Sequence, residues 1–86
     1  MLIKDIVMKV QVLFFGATAD ETGEREIQVS FDENIVANEA FAEIVEKYPR
    51  LKNHKLLFAV NQEYASGDEI VRNGDELAIF TAVSGG

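Results

Sequence analysis

The chain ends in Gly85-Gly86, and its reactive chemistry is concentrated there. Without β-carbons, these residues take backbone angles closed to others and fit a passage that side chains would block. Thr81, Ala82, Val83 and Ser84 before them are also small. Counted from Thr81, an extended tail projects about 15–20 Å at ~3.3 Å per residue, enough to enter another protein's active site. A terminal carboxylate is a poor acyl electrophile at neutral pH. It becomes reactive when one oxygen is made a leaving group, most simply by adenylation with ATP. The sequence has no Gly-rich phosphate loop, so a partner must perform that step. Attack on the adenylate by sulfur gives a thiocarboxylate and attack by an amine gives an isopeptide. The residues alone permit both.

Nothing else in the chain competes as a reactive centre. There is no cysteine, which excludes a thiol nucleophile, disulfides and thiolate metal sites. The single histidine, His54, sits in the polar run Lys52-Asn53-His54-Lys55 and reads as a solvated loop side chain. Glu39, Glu43 and Glu46 follow helical spacing and read as a wet helix face rather than acid–base partners. Asp68, Glu69, Asp75 and Glu76 lack the ligand density of a calcium loop, and no metal site is expected. The formal net charge of −7 repels phosphate backbones and favours encounter with basic protein surfaces, so nucleic acid is not an expected partner. No membrane-length apolar run or targeting segment is visible, and the expected location is the cytoplasm.

The elements that must position the tail follow from periodicity. Met8, Val10, Val12 and Phe14 share one parity, with Lys9 and Gln11 on the other, which predicts a strand over 8–15 whose end is apolar on both faces through Leu13 and Phe15. A connection follows, with a helical turn before Gly23. Arg25–Phe31 alternates with Ile27, Val29 and Phe31 inward, a second strand antiparallel to the first. Val36, Ala40, Phe41, Ile44, Val45 and Tyr48 then recur at three-to-five-residue steps, predicting an amphipathic helix capped by Asp32 or Asn34 and ended by Pro49. Leu56–Val60 reads as a buried strand. Asn61-Gln62-Glu63 and Asn73-Gly74-Asp75 read as turns, and Glu76–Thr81 as the last strand. The expected fold class is α+β. Specifically, it is a ubiquitin-like β-grasp: a mixed sheet with the first and last strands at its centre, one main helix on one face and a flexible Gly-Gly tail. Residues 1–86 form one domain in this reading, with 1–7 an N-terminal extension and 82–86 the functional tail.

Lys55–Gln62, Asn73–Phe80 and Val83–Gly86 together resemble the small, sulfur-carrying subunit of molybdopterin synthase. The opening Met8–Phe15 and the helix end Lys47-Tyr48-Pro49 fit the same family, so the resemblance spans residues 8–86. It implies that an ATP-dependent adenylyltransferase activates Gly86 and that a sulfurtransferase system converts it to a thiocarboxylate. The tail, with Gly85, Ser84 and Val83, then inserts into the large synthase subunit and gives sulfur to the cyclic pyranopterin precursor. Catalytic side chains belong to the large subunit, so this chain is a non-catalytic donor. It holds no cofactor, and ATP is used by the activating partner. The resemblance also maps the hydrophobic partner contacts onto Phe15, Tyr64 and Phe80.

Two departures stand out. Thr81-Ala82 occupy positions where the family commonly has two prolines, which predicts a looser tail that loses more entropy on insertion. The loop Thr18-Ala19-Asp20-Glu21 lacks an arginine common in the family, removing one polar contact expected with the activating enzyme. The same fold and terminus also serve ubiquitin-like protein modifiers and thiamine-pathway sulfur carriers, which stand as the alternatives.

Overall fold

In the computed structural model the described residues are 8–32 and 34–82. Met8–Phe14 forms β1 and Glu26–Phe31 forms β2, joined by a short helix α1, Ala17–Thr22, that ends on Gly23 at φ 75°. Ile35–Val36 is a two-residue strand, β3, leading into the main helix α2, Ala37–Lys47. A 3-10 turn over Pro49–Asn53 follows, then β4 Leu56–Val60, β5 Glu63–Tyr64, β6 Ile70–Val71 and β7 Glu76–Thr81. The main sheet runs β2-β1-β7-β4-β5, and β3 with β6 makes a separate two-stranded ribbon. β1 pairs antiparallel with β2 and parallel with β7, while β4 pairs antiparallel with β7. The two ends of the described chain therefore lie side by side at the sheet centre, the β-grasp arrangement expected from their shared Val, Leu, Ile and Phe content.

Parity puts Val10, Val12 and Phe14 of β1 and Leu77 and Ile79 of β7 on the helix side, all buried. α2 packs Ala37, Ala40, Phe41 and Ile44 onto them, with Val45 and Tyr48 partly buried at the border. Phe41 stacks on Phe58 of β4 with ring centroids 4.2 Å apart, and Phe14 meets Tyr48 edge-on at 5.5 Å. Pro49 stops the helix as expected, because the preceding Tyr48 has left helical angles at φ −127° and ψ 75°.

The start of α2 differs from expectation. Neither Asp32 nor Asn34 caps it: the helix begins at Ala37, and Val36 belongs to β3 rather than to the helical stripe. Its first donors are met by backbone from a distant loop, Ala37 N–H to Glu69 O at 2.8 Å and Asn38 N–H to Gly67 O at 3.0 Å. That loop is held by Glu69, whose carboxylate accepts from Ser66 N–H (2.6 Å), Gly67 N–H (2.9 Å) and Ser66 Oγ (3.1 Å). The backbone N–H groups of Ser66 foremost, then Glu69 and Gly67, lower its pKa from 4.5 to about 2. Gly67 is needed here. It sits at φ 110°, and a β-carbon would fall 2.5 Å from the Asn38 side chain.

The turn between β4 and β5 is tighter than expected, with Asn61 and Gln62 alone at its centre at φ 50° and 72°, and Glu63 already in β5. Asn61 is braced in this left-handed position by accepting from Glu76 N–H at 2.9 Å and donating to Asp75 Oδ1 at 3.1 Å.

Candidate functional site

Because α2 covers one face of the sheet, the other face is open among the described residues, and its residues follow from the register. Leu13 of β1 lies opposite Ala78 of β7, Ala78 opposite Ala59 of β4, and Ala59 opposite Tyr64 of β5. One step along, Phe80 lies opposite Leu57, and Phe15, whose N–H donates to Ile79 O at 3.1 Å, follows β1 beside them. These seven apolar residues form a continuous band across four strands at the end of the sheet where β7 finishes. Lys9, Gln11, Glu26, Gln28, Ser30 and Glu76 occupy the remainder of the same face. The face is thus divided into an apolar half and a polar half.

Phe15, Tyr64 and Phe80 lie in the apolar half. Phe15 is 51% exposed and Tyr64 75% exposed, while Phe80 is partly buried with its ring 5.9 Å from that of Tyr64. Ala59 and Ala78 are nearly buried although they face outward, because bulkier neighbours flank them. The result is a low floor of alanine between raised aromatic and leucine walls, a relief suited to receiving side chains from another molecule. Sequence reasoning missed the floor residues Ala59 and Ala78 and the wall residue Leu57. The available signal was β4 itself: Leu56–Val60 is apolar at every position, so both of its faces must meet apolar surroundings.

The open face is held in place from behind by Thr18 of α1, which is fully buried. Its Oγ1 stands 2.7 Å from Phe15 O and 2.8 Å from Ile79 O, so its single proton serves the β1 end and the β7 strand in turn. The register that seats Phe15 beside Phe80 is thereby tied to the helix. α1 is anchored at its other end by Glu21, and here a correction is needed. His54 is not a free solvated side chain: its Nε2 lies 2.6 Å from Glu21 Oε2, with Arg50 3.9 Å from the same carboxylate, linking α1 to the 3-10 turn.

Glu39, Glu43 and Glu46 are exposed on α2 as expected of a wet face. Among the described residues, no cluster of three metal-ligating side chains occurs, and no helix is long and apolar enough to cross a membrane. Val83, Ser84, Gly85 and Gly86, the tail of the sequence reading, lie outside the described residues, as does the 1–7 extension. β7 ends at Thr81, next to Phe80, and Ala82 N–H donates to Lys55 O at 3.1 Å, so the chain leaves the sheet at the rim of the apolar half-face.

Residues 12–86 match the model of the ThiS family. The human protein named molybdopterin synthase sulfur carrier subunit is 36% identical over 83 residues, which take in 91% of this chain and 94% of that one. The Mycobacterium tuberculosis protein of the same name is 35% identical over 85 residues, covering 93% of this chain and all of its own length. Among solved structures, SAMP1 from Haloferax volcanii, a small archaeal modifier protein, superposes with a TM-score of 0.78 at 27% identity over 91% of this chain and 99% of that one. A chain in the complex of subunits 1 and 2 of the molybdopterin-converting factor from Helicobacter pylori shares the fold, with a TM-score of 0.65 at 21% identity over 92% of this chain and 100% of that one.

Proposed function

This chain belongs to the ThiS family, and on that footing we propose that it is the sulfur carrier of molybdopterin synthesis, with Gly86 as the donor. A carboxylate oxygen of Gly86 attacks the α-phosphate of ATP on an adenylyltransferase, forming the acyl adenylate and releasing pyrophosphate. Sulfur delivered at the sulfide level by a sulfurtransferase system attacks the acyl carbon and expels AMP, leaving a thiocarboxylate. The tail then enters the large synthase subunit, where sulfur passes to the pyranopterin precursor and water restores the carboxylate.

The observation that carries this reading is the apolar half-face at the exit of β7. Exposed Phe15 and Tyr64, with the partly buried Phe80 against Tyr64, beside a hydrophobic floor are what a partner needs for firm anchoring, and the net negative charge steers encounter with basic partners. Its position sets any docked protein against the start of the tail, so docking and insertion are one geometric event. Phe15, Tyr64 and Phe80 are the anchors in this reading, while Gly85, Ser84 and Val83 supply narrow passage for the reacting end.

The test is intact mass after incubation with ATP, the adenylyltransferase and a sulfur source. Exchange of one oxygen for one sulfur is expected in the parent and not in a variant lacking Gly86, which should still fold because that residue lies beyond β7. If the truncated chain still supported molybdopterin formation in a reconstituted assay, the carrier mechanism would be wrong. Similarity to an archaeal modifier protein favours attachment to lysines as the second reading. Isopeptide-linked products in place of the thiocarboxylate would select it.

A further inference from the structure

A second surface lies on the opposite flank of the molecule. β2 is an edge strand six residues long, whereas the other edge, β5, has only two residues. The phase of its pairing is fixed by Phe14 N–H donating to Arg25 O at 2.9 Å, outside the strand proper. Stepping along the antiparallel register, Ile27, Val29 and Phe31 turn their N–H and C=O toward β1. Gln28 and Ser30 therefore turn theirs off the edge, where no further strand is paired among the described residues. Gln11 agrees with this phase, since its N–H points the other way, to Asp75 O at 3.0 Å. β2 has no proline, lysine or bulge among the devices that usually blunt such an edge.

Between this edge and α2 runs an open groove. Val29, Ser30, Ile44, Glu43, Glu46 and Lys47 line one part of it, and it continues past Phe31 and Ile35 to Asp32 and Glu39. Val29 is partly buried and Ile44 nearly fully so, giving the groove an apolar floor. Among the described residues, four carboxylates line it against a single lysine. A second copy of this chain would bring the same acids into opposition, so charge argues against self-pairing and for a basic occupant.

We propose that the β2 edge and the α2 groove bind an extended segment of a partner protein, one with alternating branched apolar side chains flanked by lysine or arginine. The segment adds a strand to β2 through Gln28 and Ser30, sets its alternate side chains over Val29 and Ile44, and places its basic flanks against Glu43, Glu46 and Glu39. This surface is separate from the apolar half-face, so both can be engaged at once.

The test titrates the 15N-labelled protein with the peptide acetyl-Lys-Lys-Val-Thr-Val-Thr-Val-Lys-Lys-amide. Saturable shifts and slowed hydrogen exchange are expected at the Gln28 and Ser30 amides. A copy N-methylated at alternate positions keeps the charge but loses the ladder and should not protect them. The exposed double variant E43K/E46K should bind about tenfold more weakly at low salt. Equal binding of the N-methylated peptide, shifts centred on Phe15, Tyr64 and Phe80, or no saturation would each overturn the proposal. Concentration-dependent dimerisation through β2 would overturn it too, by naming a second copy as the occupant.

Discussion

Near the end where β7 finishes, β1, β7 and β4 are apolar on both faces, yet the two faces do different work. On the helix side, Val12, Leu77 and Ile79 are fully buried beneath α2 and are committed to holding the fold. On the open side, Leu13, Phe80 and Leu57 have similar chemistry and no covering element among the described residues, and Phe15 and Tyr64 stand largely free. Apolar content alone therefore does not distinguish stability from recognition. What distinguishes them is whether the chain supplies its own cover. Among the described residues one main helix covers one face, so the second apolar patch stays without cover of its own.

The sharpest way to break this comparison is to truncate one residue from each face of β7. Ile79→Ala empties a fully buried position and should cost about 3 kcal/mol or more of stability, read by thermal or denaturant unfolding. If the proposed function holds, Phe80→Ala, its neighbour on the other face, weakens binding to the large subunit and the activating enzyme by about 2 kcal/mol, read by calorimetry. Its fold stability should fall by no more than about 1 kcal/mol, the worth of its ring contact with Tyr64. A large loss of stability with unchanged affinity for Phe80→Ala would collapse the distinction. A smaller effect tests the loop that starts α2. The Glu69 carboxylate has its pKa lowered to about 2 from 4.5, so its stabilising contribution is complete above pH 4.5 and is lost as pH falls toward 2. Glu69→Gln should flatten the stability profile within that window and leave binding at the half-face unchanged at neutral pH. An unaltered acid profile would remove Glu69 as the brace.

Much of the architecture was readable because it is written in parity. The strand Met8–Phe14 and the sidedness of Leu13 and Phe80 follow from alternation of period two, while Leu56–Val60 and Glu76–Thr81 are legible as short apolar runs between turn signals. The end of α2 followed from Pro49. Its beginning did not, because Ala37 and Asn38 are satisfied by carbonyls of Gly67 and Glu69, some thirty positions away, and no local residue records that. β3, β5 and β6 have two residues each, too few to show any period. The tether of His54 to Glu21 was equally invisible, since it joins two polar loops that only the fold brings together. At the site, the exposed aromatics were legible from parity and family resemblance. The alanine floor was not, because Ala59 and Ala78 gain meaning only from the bulky residues that the register sets around them.

The parallel pairing of β1 with β7 has a consequence for how the molecule comes into being. β7 is inserted between β1 and β4, so the sheet cannot close until the last strand has been synthesised and released. Such non-local pairing places the chain among the slower folders of its size, because a long loop must close before the contacts reward it. It also orders events usefully. A nascent or prematurely ended chain lacks the central strand, cannot form the apolar half-face, and so presents nothing for a partner to grip. Every copy that displays the half-face has therefore been translated through β7.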